Sequence, residues 1–429
     1  MVTSVFVKLW GKRVGAVSWD NQKGIASFEY DKNFLKSELD ISPILMPLQQ
    51  GSKIFEFIEN RKSLTFKGLP ALLADILPDK YGNALINTWL VNQGRPTNSL
   101  NPVEILCFIG QRGMGALEFE PSSKAVKTSS TVLEIDQLVA ISEQILADKS
   151  DFLTNLSDDE EEALFEMLRI GSSVGGARAK ALIAWNEKTG EVRNGQAKVT
   201  KGFEHWLIKF DGVSDAQFGA SSGYGKVEMA YYLMAKDAGI KIMESRLLHE
   251  NGRSHFMTKR FDRVGDNQKL HVQTFCAMRN FDFNEIQLYS YEQLFETMRI
   301  LGLSYPEAQE LFRRMIFNVL ARNCDDHTKN FGFMMDQKGK WNLSPAYDVC
   351  HAYRPRSVWV SQHALSINGK RQNITLQDFL IVAKKMNIKN AQAIIEKVAD
   401  SVSKWNEFAD EVELEEKLKV AIERTFVKV

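Results

Sequence analysis

The sequence predicts an α+β fold in which a β-rich N-terminal part precedes an all-α C-terminal part. Residues 5–30 alternate apolar and polar positions between turn-forming glycines, as antiparallel strands do. Beyond about residue 285, apolar residues recur at helical spacing, apart from a short interlude at 331–350. A chain of 429 residues with 44% hydrophobic and 25% charged residues can bury a sizeable core and should form two or three structural units.

The first predicted unit, residues 1–121, opens as a β-meander and continues with two helices. Helical patterns cover 69–76 and 81–91, and another short apolar segment covers 116–120. Residues 121–130 are small, polar and aperiodic, which predicts a linker and a domain boundary. The predicted strands of the meander are Val5–Trp10, Val14–Trp19 and Ile25–Tyr30.

The second predicted unit, residues 132–264, mixes helices and strands, and the third, residues 265–429, is helical. Asn251-Gly252 is a strong two-residue turn signal and predicts a hairpin between 246–248 and 255–258. The other elements expected in these two units are helices at about 133–148, 158–170, 228–238, 375–386, 390–408 and 412–425, and strands at 181–185 and 206–210.

Charge and cysteine content exclude several classes of protein. The 54 basic and 54 acidic residues cancel, so no overall charge attracts the chain to nucleic acid or to an anionic membrane. The four cysteines lie far apart and form no C-x-x-C pair, which argues against a zinc site or a disulfide framework. Since neither a signal-peptide pattern nor a long uncharged apolar stretch is present, we expect a soluble, cytoplasmic protein without a membrane partner.

The segment from Ser304 to Cys350 carries the most informative pattern. A capped amphipathic helix is followed by a run of polar residues, a predicted hairpin and then Pro345-Ala-Tyr-Asp348. Asp325 precedes Asn330 by five residues, and Asp348 follows Asn330 by eighteen. Protein kinases space a base Asp, a metal-binding Asn and a metal-binding Asp in this way, so the spacing predicts ATP and Mg²⁺ as cofactors and a bilobal, protein-kinase-like fold.

Two further side chains of this polar loop are candidates for catalysis. Lys329 would place positive charge near the transferred phosphoryl group, and His327 could brace the loop. The alternatives are a solvated loop with incidental acids, or Asp326 as the base, although Asp326 lies only four residues before Asn330. A zinc site at His327 is weaker still, because no second His or Cys stands at ligand spacing.

Earlier segments supply candidates for nucleotide contacts in the order found in kinases. The small-residue loop at 171–177 could let backbone N–H groups approach phosphate, although a plain turn is about as good an interpretation. Lys209 ends an apolar strand, and Glu228 on the next helix could pair with it. Residues 257–263 could form a nucleotide-binding hinge or a plain connector. The candidate cofactor-binding residues in these segments are Val174, Gly175, Gly176, Ala177, Lys180, Lys209, Glu228, Lys259, Phe261 and Asp262.

These residues together resemble the HipA kinases, the toxin halves of bacterial type II toxin–antitoxin modules. The resemblance covers nearly the whole chain and rests on the loop from Ser173 to Lys180, the hinge segment 259–263, the catalytic loop 325–330 and the segment 345–348. Gly68-Leu-Pro-Ala71 and Leu77-Pro-Asp79 also resemble the region that couples HipA to its antitoxin. Lys259 departs from the family, where an acidic hinge residue is expected.

The resemblance implies a serine/threonine kinase that arrests growth by phosphorylating an aminoacyl-tRNA synthetase, such as the glutamyl enzyme. A HipB-type helix-turn-helix antitoxin would restrain it and would make most of the contacts with operator DNA. By position, Ser173 would be the autophosphorylation site. A phosphate there adds about −1.5 to −2 charge to the phosphate loop and would switch the enzyme off.

Two other functions stay open at this point. The D-x-H-x-x-N loop also resembles that of phosphoinositide kinases, although neutral overall charge and the lack of a basic amphipathic helix disfavour a lipid substrate. A catalytically silent partner of a DNA-binding repressor is the other alternative. Intact Lys209, Asp325, Asn330 and Asp348 count against it.

Overall fold

The predicted N-terminal meander forms the centre of a five-stranded antiparallel sheet. The computed structural model describes residues 4–121, 132–147, 158–171, 178–196, 199–213, 223–265 and 267–428. In the first strand Val5, Val7 and Leu9 are buried, as period-two alternation requires. The strands are β1 (Ser4–Leu9), β2 (Lys12–Asp20), β3 (Ile25–Tyr30), β4 (Phe55–Glu56) and β5 (Leu117–Glu120), in the spatial order β4-β3-β2-β1-β5.

Five helices pack in the same part of the chain, and one of them was not predicted. Asn101 caps that helix with a complete capping box to Glu104, and Pro102 occupies its first turn. The Asn-Pro-Val-Glu sequence is therefore a signal that could have revealed it. The helices are α1 (Ala71–Ala74), α2 (Lys80–Asn92), α3 (Pro102–Ile109), α4 (Ile135–Leu146) and α5 (Asp158–Gly171).

A second five-stranded antiparallel sheet follows, and it contains the predicted hairpin. Asn251 and Gly252 have positive φ angles of 41° and 76°, as a tight two-residue turn requires. The three-residue strand β7 was not predicted, because three residues show no measurable alternation. The strands are β6 (Lys180–Trp185), β7 (Val192–Asn194), β8 (Glu204–Lys209), β9 (Ser245–Glu250) and β10 (Arg253–Lys259), in the order β7-β6-β8-β10-β9, and a small hairpin follows, β11 (Arg263–Val264) and β12 (Gln268–Lys269).

The rest of the chain is mainly helical, with a three-stranded sheet that includes the predicted hairpin at 331–343. The sequence predicted three helices after residue 375, and the structure has four. The helix predicted at 390–408 is interrupted at Lys404, where the sequence has no Gly or Pro. The helices are α6 (Tyr224–Asp237), α7 (Phe275–Arg279), α8 (Tyr291–Ile300), α9 (Tyr305–Leu320), α10 (Leu376–Met386), α11 (Ala391–Ser403), α12 (Trp405–Glu411) and α13 (Glu416–Glu423), and the strands are β13 (His271–Thr274), β14 (Gly332–Met335) and β15 (Trp341–Leu343).

The chain divides into two compact units, one β-rich and one mainly helical. The first comprises residues 1–40, 46–225 and 245–271, and the second comprises 41–45, 226–244 and 272–429. The predicted ranges 1–121 and 132–264 thus fall mostly in the first unit. Across the described ranges, no helix has both the length and the apolar character needed to cross a membrane.

Candidate active site

The polar loop that follows α9 brings Asp325 and Asn330 together. The loop ends in a single 3₁₀ turn, Thr328–Asn330, in which the Asn330 N–H donates to the His327 carbonyl at 2.9 Å. The Asn330 side-chain Nδ2 donates to the Asp325 carbonyl oxygen at 2.7 Å. This hydrogen bond therefore joins the two ends of the segment 325–330, whose five-residue spacing was read from the sequence.

The two neighbouring carboxylates have opposite environments. The Asp325 side chain is 46% exposed, whereas the Asp326 side chain is completely buried. Asp326 accepts hydrogen bonds at both oxygens, at Oδ1 from the Ala364 N–H at 2.8 Å and at Oδ2 from His363 and Tyr291. An exposed carboxylate can reach a substrate hydroxyl and a buried one cannot, so Asp325 is the better candidate for a base.

The segment that contains Asp348 is connected to this loop by Tyr347. The Tyr347 hydroxyl donates to the Lys329 carbonyl oxygen at 2.8 Å, which ties the segment before Asp348 to the residue before Asn330. Asn330, Tyr347 and Val349 line one cavity of about 20 Å³, large enough for one water molecule. Asp348 itself has a φ of 52°, in the left-handed region that Asp tolerates better than most residues.

Phe283 links the two remaining candidates of the loop. The His327 ring lies 5.2 Å from the Phe283 ring, and Lys329 Nζ lies 4.8 Å from the centre of the same ring. His327 Nε2 is 3.8 Å from Asp325 Oδ1. Within the described ranges no group of three or more His, Cys, Asp or Glu residues could hold a metal ion. These contacts support the bracing role expected of His327.

Two lysine candidates lie on the second sheet of the first unit. Lys180 and Lys209 are directly opposite each other on β6 and β8, and Lys209 also faces Phe256, whose ring centre is 5.9 Å from its Nζ. Lys180 is 3% exposed, and its Nζ lies 3.5 Å from Asp79 Oδ2. The phosphate-loop candidates Ser173, Val174, Gly175, Gly176 and Ala177 lie outside the described residues.

Glu228 is buried on α6, in the second unit. Lys209 belongs to the first unit. Their proposed pairing therefore stays a prediction.

The hinge candidates differ in what their side chains do. Lys259 donates to Glu204 at the protein surface, and its backbone pairs with Trp206 in the sheet. Asp262 is fully buried, and its oxygens accept from Arg260, Arg263 and the Gly115 N–H at 2.7–2.8 Å.

Burial opposes the charge on Asp262, but the two guanidinium groups outweigh it and hold the pKa of this carboxyl well below its usual range. The Asp262 carboxylate is thus engaged by three donors in the folded chain, and its expected contact with the nucleotide stays a prediction. The prediction for Phe261 stays a prediction.

Asn330 and Asp348 carry oxygen donors of the kind that magnesium prefers. Because Asn330 Nδ2 is engaged with the Asp325 carbonyl, the amide oxygen Oδ1 is the atom that Asn330 can offer to a metal. An amide oxygen and the Asp348 carboxylate are hard ligands of the kind that Mg²⁺ prefers. The residues present are therefore compatible with a metal-bound nucleotide.

Several residues that shape this site could not be found from the sequence. Phe283, Tyr291 and His363 are each more than 30 residues from the loop residue that they contact. No spacing rule connects such distant positions. Tyr347, by contrast, lies within a segment that the sequence singles out, Pro345-Ala-Tyr-Asp348.

Comparison with known families gives a match over most of the chain. A family model described as the HipA N-terminal domain matches residues 5–120, and one described as the HipA-like C-terminal domain matches residues 172–406, more than half of the sequence. The chain belongs to the HipA family. This confirms the family that the loop, hinge and N-terminal segments resemble.

Two curated relatives of this HipA-family chain match over part of their length. "Putative kinase Y4dM" of Sinorhizobium fredii (strain NBRC 101917 / NGR234) is 27% identical over 209 residues, which cover 44% of this chain and 48% of that protein. "Putative kinase" of Haemophilus influenzae (strain ATCC 51907 / DSM 11121 / KW20 / Rd) is 27% identical over 134 residues, which cover 28% and 39%. The chain thus matches less than half the length of each.

A solved structure shares the fold over nearly the whole chain. It is HipA in the complex of the Shewanella oneidensis MR-1 toxin–antitoxin system with HipB and operator DNA. The two superpose with a TM-score of 0.66 at 17% identity, over 98% of this chain and 94% of that one. The α+β fold class, with a β-rich N-terminal part and a helical C-terminal part, is confirmed.

Proposed function

We propose that this HipA-family chain is a kinase that transfers the γ-phosphoryl group of ATP to a serine or threonine hydroxyl of a protein. The observation that carries the proposal is the closure of the 325–330 loop, in which Asp325 stays accessible while its carbonyl is bonded to Asn330. The two relatives named as kinases support the same reaction class.

The side chains of the second unit would have separate roles in phosphoryl transfer. Asp325 would accept a hydrogen bond from the attacking hydroxyl and orient it, and His327 would keep the loop in place through Phe283. Asn330 and Asp348 would hold magnesium, which when bound neutralises charge that develops on the phosphoryl oxygens. Lys329 would add positive charge nearby, and Lys209 and the 173–177 loop remain candidates for phosphate contacts.

The wider proposal is that the kinase is the toxin of a toxin–antitoxin pair in the cytoplasm. The match to the HipA N-terminal domain and the fold shared with the HipA of a HipA–HipB–operator DNA complex support it. The partner would be a HipB-type helix-turn-helix antitoxin, with operator DNA bound mainly through that partner. The protein substrate, by resemblance to the family, would be an aminoacyl-tRNA synthetase.

The Asp325→Ala variant tests the reaction. Radiolabel transfer from γ-labelled Mg-ATP to the chain itself and to proteins of a bacterial lysate should fall by at least about 100-fold, because the hydroxyl loses its orienting base. Asp410→Ala is the matched control, since it removes an exposed carboxylate of the same unit that pairs only with Lys419 among the described contacts. Full transfer by the Asp325 variant would refute the assignment.

Ser173 is the proposed site of inactivating autophosphorylation. After incubation with Mg-ATP, mass spectrometry should find phosphate on Ser173 in the wild type and not in Asp325→Ala. A Ser173→Ala variant should keep its transfer activity during prolonged incubation, because no charge enters the phosphate loop. Phosphate found only at other residues would contradict this proposal.

A further inference from the structure

The residue beside the proposed base belongs to a buried ion pair. His363 Nδ1 donates to Asp326 Oδ2 at 2.9 Å, and both side chains are no more than 1% exposed. The Tyr291 hydroxyl donates to the same oxygen at 2.8 Å, while Asp326 Oδ1 accepts from the Ala364 N–H. Asp326 is thus held by three donors from two separate segments, directly next to Asp325 in the chain.

Further polar side chains extend this pair into the helices. Asn318 Nδ2 on α9 donates to the Tyr291 hydroxyl at 3.0 Å, and Asn323 Nδ2 donates to Asn318 Oδ1 at 3.0 Å. Backbone bonds fix the loop as well, because the Cys324 N–H donates to the Ala352 carbonyl at 3.0 Å. The start of the catalytic loop is therefore attached to α8, to α9 and to the segment at 363–364.

We propose that Asp326 and His363 are positioning residues that hold the 325–330 loop in its active geometry. The inference rests on the proposed phosphotransfer function and adds residues that touch neither the substrate nor the nucleotide. Their effect passes through the backbone from Asp326 to Asp325, whose carbonyl oxygen also accepts the Asn330 hydrogen bond. Displacing a reacting group by about 1 Å can cost on the order of 100-fold in rate.

The charge on His363 is what makes Asp326 stable in this place. A buried carboxylate without a positive partner is strongly disfavoured. Burial alone would lower the pKa of His363, but the adjacent Asp326 carboxylate outweighs it and raises that pKa to about 10.

Two other groups face the pair. Cys324 Sγ lies 3.8 Å from His363 Nε2, and Arg371 donates to the Ala364 and Tyr289 carbonyls. Burial lowers the pKa of Arg371, and the negative charge of the nearby Asp326 carboxylate partly offsets this effect. Among the described contacts, neither Cys324 nor Arg371 donates a hydrogen bond to Asp326. His363 is therefore the cation in direct contact with the Asp326 carboxylate.

The test compares full-length variants under conditions where the wild type transfers phosphate. Asp326→Asn and His363→Asn should each lower kcat by about 10-fold to 100-fold and leave the KM for Mg-ATP within twofold, because the loop loses alignment but the nucleotide contacts persist. Tyr291→Phe removes one donor and keeps the ion pair, so it should fold normally and lose less activity.

The matched control is Asp378→Asn. Asp378 is also a buried carboxylate of the second unit paired with a cation, Lys370 at 2.9 Å, but it accepts its other hydrogen bonds from Asn368 and from Thr375, the N-cap of α10. This variant should lose stability and keep kcat. If Asp326→Asn, His363→Asn and Tyr291→Phe all retain the kcat of the control, the positioning role is wrong.

A second measurement separates this inference from the proposed function. Nitrogen NMR of ¹⁵N-histidine protein should show an imidazolium signal at pH 8 that is absent from His363→Asn and that titrates at lower pH in Asp326→Asn. Hydrogen exchange at residues 324–330 should be faster in Asp326→Asn than in Asp378→Asn. If the wild type transfers no phosphate, the proposed function fails, while neutral His363 at pH 8 or unchanged exchange would overturn the positioning claim.

Discussion

At the scale of single residues, burial separates side chains that the sequence presents as equivalent. Asp325 and Asp326 are adjacent acids, and only their spacing to Asn330 favoured the first as the base. The structure gives the physical distinction, since Asp325 is half-exposed and Asp326 is enclosed by donors. The donors come from Tyr291, His363 and Ala364, which no local pattern could associate with the loop.

Glu250 offers a pH-dependent test at this scale. Burial, a hydrogen bond with Asp136 and the charge of Asp136 raise the pKa of Glu250 from 4.5 to about 7. The folded chain therefore retains a proton that the unfolded chain releases, and the free energy of unfolding should fall as pH rises from about 4.5 to about 7. Glu250→Gln keeps a neutral donor and should lose this part of the pH dependence.

The measurement for Glu250 is the urea midpoint at pH 5 and pH 8. Between these two conditions the midpoint should drop more in the wild type than in Glu250→Gln. Glu187→Gln serves as the control, because Glu187 is an exposed carboxylate that pairs with Arg246 at the surface of the same unit. Equal drops in the wild type and Glu250→Gln would contradict the assignment.

At the scale of elements, alternation and capping signals predicted most helices and strands, and tertiary contacts explain the rest. The strands of the meander, the Asn251-Gly252 hairpin and α9 with its Ser304 capping box are confirmed. The break at Lys404 was not predicted, because this residue ends one helix and begins the next without a special sequence signal.

Asp79 provides a test of how one residue starts a helix and joins it to a sheet. Its side chain accepts from the Gly82 N–H at 2.8 Å at the start of α2, and it lies 3.5 Å from buried Lys180 of β6. Asp79→Asn keeps the cap and weakens the ion pair, which should cost roughly 3 kcal/mol of unfolding free energy. Asp79→Ala should cost about 1 kcal/mol more, because the cap is lost too.

Equilibrium denaturation of the two Asp79 variants measures both effects. Asn101→Ala is the control, since Asn101 caps α3 and makes no ion pair among the described contacts, so this variant should lose only about 1 kcal/mol. If Asp79→Asn has the same free energy of unfolding as the wild type, the buried contact between Asp79 and Lys180 does not stabilise the fold.

At the scale of the whole molecule, the sequence predicts which parts of the chain are β-rich and which are helical, but not which distant segments pack together. The β-rich and helical parts are confirmed, while the boundary expected at 121–130 stays a prediction; the described segments 46–121 and 245–265 belong to one compact unit. Contacts between distant segments explain this, because Trp10 Nε1 donates to the Lys269 carbonyl at 2.7 Å and Lys269 Nζ lies 2.8 Å from Glu118. Such pairings, more than 100 residues apart in the chain, leave no periodic signal in the sequence.

Nucleotide binding should stabilise the unit of the chain that binds it against unfolding. At 100 times its dissociation constant, Mg-ATP should add about 2.7 kcal/mol to the free energy of unfolding of the unit that binds it, and Tm should rise accordingly. Asp348→Ala should abolish this rise, as should removal of magnesium with EDTA, whereas Asp410→Ala should retain it. Differential scanning fluorimetry measures the rise in Tm. If Mg-ATP raises the Tm of Asp348→Ala as much as that of the wild type, the metal assignment is wrong.

Asp262 and Arg263 connect the segment around Gly115 to the rest of the first unit, which limits where the protein can be truncated. Asp262 accepts from Gly115, and Arg263 donates back to the Gly115 carbonyl at 3.2 Å. A truncated protein that begins after residue 131 would lose both bonds and would also leave Lys269 without Glu118. Expression of the C-terminal two thirds alone should therefore give poorly folded material, and any excision intended to isolate the catalytic portion must retain the first 121 residues.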